Sequence, residues 1–202
     1  MIRLMVNGWG ADINKYVVAM LNALSNGWVP PETISRETYN DYRQRYYNNE
    51  SKDDFLIGYI GVNGSYNGRF YDGGYAGTVT TKIGTFRDYT NEAYSNVVKQ
   101  TEGLRGVVFK HSSYKDLDLP ENSLIYCDPP YYGTKEYRES KINHDHFWQW
   151  CRDKTLEGHT VFISEYSAPE DFECVWEKKV NSSMTQDTGA KKATEKLFKW
   201  RG

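Results

Sequence analysis

The feature that most constrains the fold is a short apolar run that stops at two consecutive prolines. Leu124–Cys127 has the length of a strand that is buried on both faces of a sheet. Pro129 and Pro130 end the run, because neither can donate a ladder hydrogen bond and each favours extended geometry in the residue before it. We therefore expect Asp128 at the carboxyl end of a buried strand, with Tyr131 just beyond. Ligands bind at that edge in open α/β sheets.

These four residues suit the activation of an aromatic amine. The exocyclic amine of a base such as adenine is a poor nucleophile, because its lone pair is delocalised into the ring. The carboxylate of Asp128 and the carbonyl of Pro129, held rigid by Pro130, could each accept a hydrogen bond from one N–H of the amine. Together they would favour a tetrahedral nitrogen. Tyr131 offers a flat face for an extruded base, worth about 1–3 kcal/mol. A strand-terminating turn without chemistry explains the tetrapeptide equally well.

The sequence Asp128-Pro129-Pro130-Tyr131 resembles the catalytic motif of bacterial and phage adenine-specific DNA methyltransferases that use S-adenosylmethionine. Residues 61–66, 113–116 and 162–166 are similar to this family in the same order, so the resemblance covers nearly the whole chain. It implies that these four residues are catalytic, with S-adenosylmethionine as cofactor and double-stranded DNA as partner. It also implies a cytoplasmic enzyme that adds a methyl group to adenine at specific DNA sites, in a restriction–modification context.

Asp12 is the acidic residue that follows a second predicted strand. Nucleotide-binding α/β folds use such a residue to hold a ribose diol. The resemblance implies that Asp12 binds the cofactor ribose and that Asp128 also contributes to the cofactor site. An alternative is that Asp12 caps the following helix, for which aspartate is a preferred residue. The two roles are compatible.

One part of the family's pattern is missing. The family opens with a strand and a glycine-rich loop around the methionine end of the cofactor, expected about 20 residues before the acidic residue. Only eleven residues precede Asp12, and Gly8-Trp9-Gly10 lies too close to it to be that turn. We therefore expect an N-terminally truncated sheet that binds the cofactor weakly or not at all. Two alternatives remain open: an inactive DNA-binding remnant, and methylation of another amide or amine, such as a protein glutamine.

Residues 61–90 interleave glycines with aromatic residues and cations. Such a surface suits a phosphate backbone and stacked bases, although an irregular loop explains the composition as well. In the family, this region shapes the target-base entrance, and we predict DNA contacts from Tyr66 and Arg69 in addition to Tyr131. The other candidates for stacking or phosphate contact are Phe70, Tyr71, Tyr75, Lys82, Arg87 and Tyr89.

Composition limits the remaining possibilities. With 25 basic and 27 acidic residues among 202, the chain is not a strongly basic nucleic-acid binder, so any phosphate contacts must be local. Three cysteines at positions 127, 151 and 174 are expected to be reduced thiols. The histidines at positions 144, 146 and 159 lack ligand spacing and are interpreted as solvated helix-end residues, without a metal. No apolar run approaches membrane-spanning length.

The periodicity predicts a single α/β domain over residues 1–202, with residues 61–90 as an insertion. Helices are expected from residue 12 to Asn26, after Pro31, over 51–58, over 91–103 and from Asp145. Strands are expected at 107–109, 124–127, 160–164, 175–180 and 197–200. The predicted architecture is a Rossmann-like methyltransferase sheet, mostly parallel, that ends in an antiparallel hairpin. Residues 132–143 are expected to form a mobile loop over the site.

Overall fold

The computed structural model describes residues 2–3, 8–80, 84–132, 142–181 and 192–202. The chain divides into two compact units. The first unit combines Met1–Ile13 with Ser112–Gly202, and the second is Asn14–His111. The sequence led us to expect one domain with an insertion, and the pattern of apolar residues does not indicate this division. The predicted loop at 132–143 lies largely outside the described residues.

The described residues form both helices and a sheet, which confirms the α/β class. The strands are β1 Ile2–Arg3, β2 Trp9–Asp12, β3 Thr78–Thr80, β4 Phe86–Asp88, β5 Val108–His111, β6 Leu124–Cys127, β7 Thr160–Glu165, β8 Phe172–Asn181 and β9 Lys192–Trp200. The α-helices are α1 Lys15–Ser25, α2 Arg36–Tyr47, α3 Asp54–Asn63, α4 Tyr89–Thr101 and α5 His144–Leu156. Short 3₁₀ turns lie at Tyr66–Gly68, Glu102–Leu104 and Tyr114–Asp116.

The first unit is built on a sheet with the strand order β2-β1-β6-β7-β9-β8. Strands β6 and β7 are parallel, whereas β1 is antiparallel to both β2 and β6. Strand β9 is antiparallel to β7 and β8, so the predicted final hairpin is confirmed. The prediction of a mostly parallel sheet is wrong for directly paired strands, because the two-residue β1 runs opposite to both of its neighbours. Strands β2, β6 and β7 still run in the same direction.

Helix α5 and the sheet enclose the core of the first unit. Ile125 and Cys127 on β6 are completely buried, whereas Leu124 is 43% exposed and Tyr126 is half-buried. The prediction that β6 is buried on both faces is therefore wrong, because its side chains alternate and the core covers one of its faces. The other members of this core are Phe147, Trp148, Trp150, Cys151, Val161, Ile163, Phe172 and Phe198.

The second unit is held together by close contact between α1 and α3. Helix α1 ends as predicted, with Gly27 in a left-handed conformation (φ 89°) after its end, but it begins at Lys15, after the cap Asn14, and not at residue 12. Helix α3 does not end near Gly58 but continues to Asn63. A Cβ atom on Gly58 would lie 2.0 Å from the backbone oxygen of Tyr16. Glycine at this position therefore allows two helices to approach each other and does not mark a helix end.

The cysteines are free thiols as expected, whereas one histidine is buried and not solvated. All three cysteines are free, with Cys127 and Cys151 buried and Cys174 exposed. The interpretation of His159 as a solvated residue is wrong: it is 7% exposed, and its Nδ1 accepts a hydrogen bond from the Ser123 N–H at 3.1 Å. This bond links the start of β7 to the start of β6, so His159 is part of the packed interior.

Candidate functional site

The carboxyl ends of β2, β6 and β7 lie at one edge of the sheet. In the middle, Ile2 of β1 pairs with Ala11 on one side and with Cys127 on the other. Ala11 and Cys127 therefore lie level with each other, two strand spacings or about 10 Å apart. Asp12 and Asp128 are each the next residue towards the edge. The structure thus brings these two predicted site residues to the same edge.

Asp12 is the last residue of β2 and does not cap α1. The cap is Asn14, whose Oδ1 accepts hydrogen bonds from the N–H groups of Tyr16 at 3.0 Å and Val17 at 3.3 Å. The alternative role of Asp12 as the N-cap is therefore wrong. The Asp12 side chain is half-buried, and its carbonyl accepts the N–H of Ser112 at 3.1 Å. Its backbone is therefore fixed at this edge of the sheet.

The segment from Asp128 to Tyr131 follows β6 directly, as the two prolines predicted. Pro129 is buried, and Asp128, Pro130 and Tyr131 are half-buried. Cys127 pairs with Ile163 in the parallel ladder, so Ser164 lies level with Asp128 on the neighbouring strand. The segment therefore runs beside the carboxyl end of β7, which supplies its contacts.

Ser164 and Tyr166 orient the side chain of Tyr131. Its hydroxyl lies 2.8 Å from Oγ of Ser164. Its ring packs edge-on against Tyr166, with the centroids 4.5 Å apart and the planes at 74°. Burial raises the pKa of Tyr131 to about 12, and the nearby charge of Asp128 acts in the same direction, whereas the hydrogen bond to Ser164 acts against it. The Tyr131 phenol is therefore uncharged at neutral pH.

Glu165 is a site residue to which sequence reasoning gave no role. It is the last residue of β7 and is only 1% exposed. Its Oε1 accepts the N–H of Tyr132 and its Oε2 accepts the N–H of Tyr166, both at 2.7 Å. Its sequence position after a predicted buried strand was the available signal. Only the parallel pairing of β6 and β7 shows that this strand end lies beside Asp128.

The second unit contains the two residues predicted to contact DNA outside the sheet edge. Tyr66 is half-buried and begins a 3₁₀ turn, and Arg69 is exposed shortly after it. These two residues belong to Asn14–His111, whereas Asp12 and Asp128–Tyr131 belong to the sheet unit. The structure therefore brings together the predicted catalytic and cofactor residues. The DNA-contacting role of Tyr66 and Arg69 stays a prediction.

Several aromatic residues of the 61–90 segment are core residues. Phe70 is 8% exposed and Tyr71 is completely buried, against Tyr39 and Tyr46. The Tyr71 hydroxyl donates to the carbonyl of Ile57 at 2.8 Å. Neither ring has a face available for a base, so the suggestion that they stack on bases is wrong. The physical reason is that tyrosine fills a core well once its hydroxyl has a partner.

The cations of the segment differ from one another. The guanidinium of Arg87 forms an ion pair with Glu92, with Nε 2.9 Å from Oε1, and lies 4.7 Å from the ring centroid of Tyr89. Arg69 has an exposed side chain. Lys82 lies outside the described residues. Of the predicted phosphate contacts, Arg69 is therefore the better candidate, since a phosphate would have to compete with Glu92 for Arg87.

Neither a metal centre nor a membrane span is found in the part of the chain that the structure describes. No group of three or more His, Cys, Asp or Glu side chains is arranged to hold a metal ion among these residues. No helix among them is both long and apolar enough to cross a membrane. No family model and no curated protein matches this chain. The functional interpretation therefore depends on the chemistry of the sheet edge.

Proposed function

We propose that this protein transfers a methyl group from S-adenosylmethionine to the exocyclic amine of an adenine that has left the DNA duplex. The observation that carries the proposal is the position of Asp128–Tyr131. This segment lies at the edge that also carries Asp12. It is held there by the hydrogen bond between Tyr131 and Ser164, and by the one that Glu165 accepts from the N–H of the next residue, Tyr132. An acceptor carboxylate, a rigid carbonyl and an oriented aromatic ring are thus presented together.

Each residue of the segment has one task in this mechanism. The Asp128 carboxylate and the Pro129 carbonyl each accept a hydrogen bond from one N–H of the amine. These two bonds favour a tetrahedral nitrogen, whose lone pair is no longer conjugated with the ring. Methyl transfer replaces one of these hydrogens, and the hydrogen bond to Asp128 directs the departing proton towards a carboxylate. Tyr131 stacks on the extruded base, and this contact offsets part of the cost of unstacking, which is a few kcal/mol.

The proposed cofactor fits part of the site. When bound, S-adenosylmethionine supplies an electrophilic methyl group. Asp12 ends a strand at the edge of an α/β sheet, where such folds hold a ribose diol, and Asp128 lies level with it two strands away. These two residues would hold the nucleoside end of the cofactor. Gly8 lies just before β2, and Trp9 and Gly10 are part of that strand, so these residues are not assigned as a cradle for the methionine end.

The strand arrangement supports the finer fold assignment that we propose, a Rossmann-like methyltransferase sheet. Strands β2, β6 and β7 run in the same direction, with the candidate site at their carboxyl ends. The sheet then ends in an antiparallel hairpin, with β9 between β7 and β8. This arrangement agrees with the architecture that the family resemblance implies.

The test is a methyl-transfer assay with labelled S-adenosylmethionine. The purified chain is offered duplex DNA that contains adenines and, separately, a glutamine-containing peptide. The cofactor is supplied at high concentration, because weak binding is expected. We then expect label on the adenine amine, and a loss of about 10²–10³-fold in rate for Asp128→Ala, by analogy with removal of one stabilising group from an active site. Asp118→Ala is the control, because this aspartate is exposed on the same unit.

Three results would contradict the proposal. Undiminished transfer by Asp128→Ala would remove this residue from the mechanism. Label on the peptide and not on DNA would favour the glutamine alternative. DNA binding without any transfer would favour an inactive DNA-binding remnant.

A further inference from the structure

The buried carboxylate of Glu165 connects two chain segments at the candidate site. A carboxylate that is 1% exposed is costly unless its oxygens accept hydrogen bonds. Here the two oxygens accept from two different chain segments: Oε1 from Tyr132, beyond β6, and Oε2 from Tyr166, beyond β7. Glu165 therefore joins the two segments that leave the parallel strands at the candidate site.

These contacts complete a three-point attachment of the segment from Asp128 to Tyr132. The ladder pair of Cys127 and Ile163 fixes its beginning. The hydroxyl of Tyr131 meets Ser164, and the N–H of Tyr132 meets Glu165. Asp128 and Pro129 lie between the first attachment and the other two, so their orientation depends on both ends.

The direction of the Pro129 carbonyl depends on the attachments at both ends of the segment, because this carbonyl belongs to the backbone. Proline supplies no N–H, so the nearest following backbone donor is that of Tyr131, and the donor after it, that of Tyr132, bonds to Glu165. Glu165 thus restrains the chain three residues after the carbonyl that the proposed mechanism requires.

We propose that Glu165 is a positioning residue, which holds Asp128 and the Pro129 carbonyl in the geometry that activates the target amine for methyl transfer. This inference depends on the proposed function. Glu165 acts through the backbone of Tyr132 and does not touch the substrate. Lys196 of β9 pairs with Glu165 in the antiparallel ladder, so the two side chains emerge on the same face of the sheet.

The decisive variant is Glu165→Gln. It has nearly the same shape, but its amide nitrogen replaces one oxygen and meets an N–H donor, so one of the two attachments is lost. Glu170→Gln is the matched control, because Glu170 is exposed five residues further along the same unit. Glu165→Asp is the second variant, which keeps a carboxylate but shortens its reach. Thermal unfolding of all three verifies that each has folded.

Three quantities separate a positioning role from a structural one. The first is kcat for adenine methylation, which we expect to fall about 10²-fold in Glu165→Gln through misalignment of the acceptors. The second is KM for DNA, which should stay within about twofold, because binding is not the function that is lost. The third is hydrogen exchange at the Tyr132 amide, which should accelerate. Glu165→Asp should give an intermediate kcat, and Glu170→Gln should match the wild type.

The outcomes distinguish this inference from the proposed function. An active wild-type chain whose kcat is unchanged in folded Glu165→Gln overturns the positioning role and leaves the proposed function intact. A rise in KM with unchanged kcat also overturns it, since Glu165 would then act on binding. A wild-type chain that neither transfers methyl groups nor extrudes 2-aminopurine from duplex DNA overturns the proposed function, and the positioning role fails with it.

Discussion

The sheet edge and the 61–90 segment are both rich in aromatic residues, but the two regions use these residues differently. At the edge, Tyr131 is half-buried and its ring and hydroxyl have oriented partners. In the segment, Phe70 and Tyr71 are buried in a core. A strand that stops at two prolines fixes the position of the next residues, whereas an excess of aromatic residues fixes none, because the same side chain serves a core or a surface.

The largest effect should come from removing the Tyr71 side chain. Tyr71→Ala leaves a cavity and removes the donor to Ile57, so we expect a loss of about 3–5 kcal/mol in the free energy of unfolding. Chemical denaturation measures this change. Arg69→Ala, two residues earlier and exposed, is the control and should change stability by less than about 0.5 kcal/mol. A small loss in Tyr71→Ala, accompanied by weaker DNA binding, would restore the stacking role.

A smaller loss should follow a change to one glycine of the same segment. A Cβ atom on Gly61 would lie 2.7 Å from Phe70 and 2.8 Å from Tyr71, so Gly61→Ala forces two buried rings to move. We expect a loss of about 1–3 kcal/mol, although alanine favours helices. Gly103→Ala is the control, since nothing lies within 4 Å of its Cβ position. Gly61→Ala as stable as the wild type would show that Gly61 is not needed for packing.

Gly58 and Glu165 show what the sequence can and cannot predict. The bounds of α1, β6 and β7 were close to the observed ones, because apolar periodicity and the prolines act locally. The end of α3 was missed because Gly58 meets Tyr16, a residue 42 positions away in the chain. The role of Glu165 was missed for a similar reason. Its partner N–H groups are adjacent only when β6 and β7 pair in parallel.

The two arginines of the segment should differ in their contribution to DNA binding. We expect Arg69→Gln to reduce the slope of log affinity against log salt by about 1, the value for one lost phosphate contact. Arg87→Gln should reduce it less, because Arg87 is paired with Glu92. Titration of DNA at several salt concentrations measures both slopes. Unchanged slopes in both variants would remove this segment from the DNA interface.

The smallest effect concerns alkaline pH and the Tyr131 hydroxyl. Its pKa is raised from 10.0 to about 12 in the folded chain, so the folded state favours the uncharged phenol. The resulting stabilisation is fully present below about pH 10 and is lost as the pH rises towards 12. Tyr131→Phe should therefore lose less stability than the wild type over this interval. Denaturation at several pH values provides the measurement, and identical pH dependence in both proteins would contradict the assignment.

The most direct test of the central claim is the fluorescence of 2-aminopurine at the target position of duplex DNA, since extrusion of this base increases its emission. We expect wild-type protein and Tyr131→Phe to extrude the analogue to similar extents, because the proposed role requires a flat ring and not a hydroxyl. Tyr131→Ala should lose about 1–3 kcal/mol of the interaction and most of the signal. Equal signals from Tyr131→Ala and the wild type would contradict the claim that this sheet edge receives an extruded adenine.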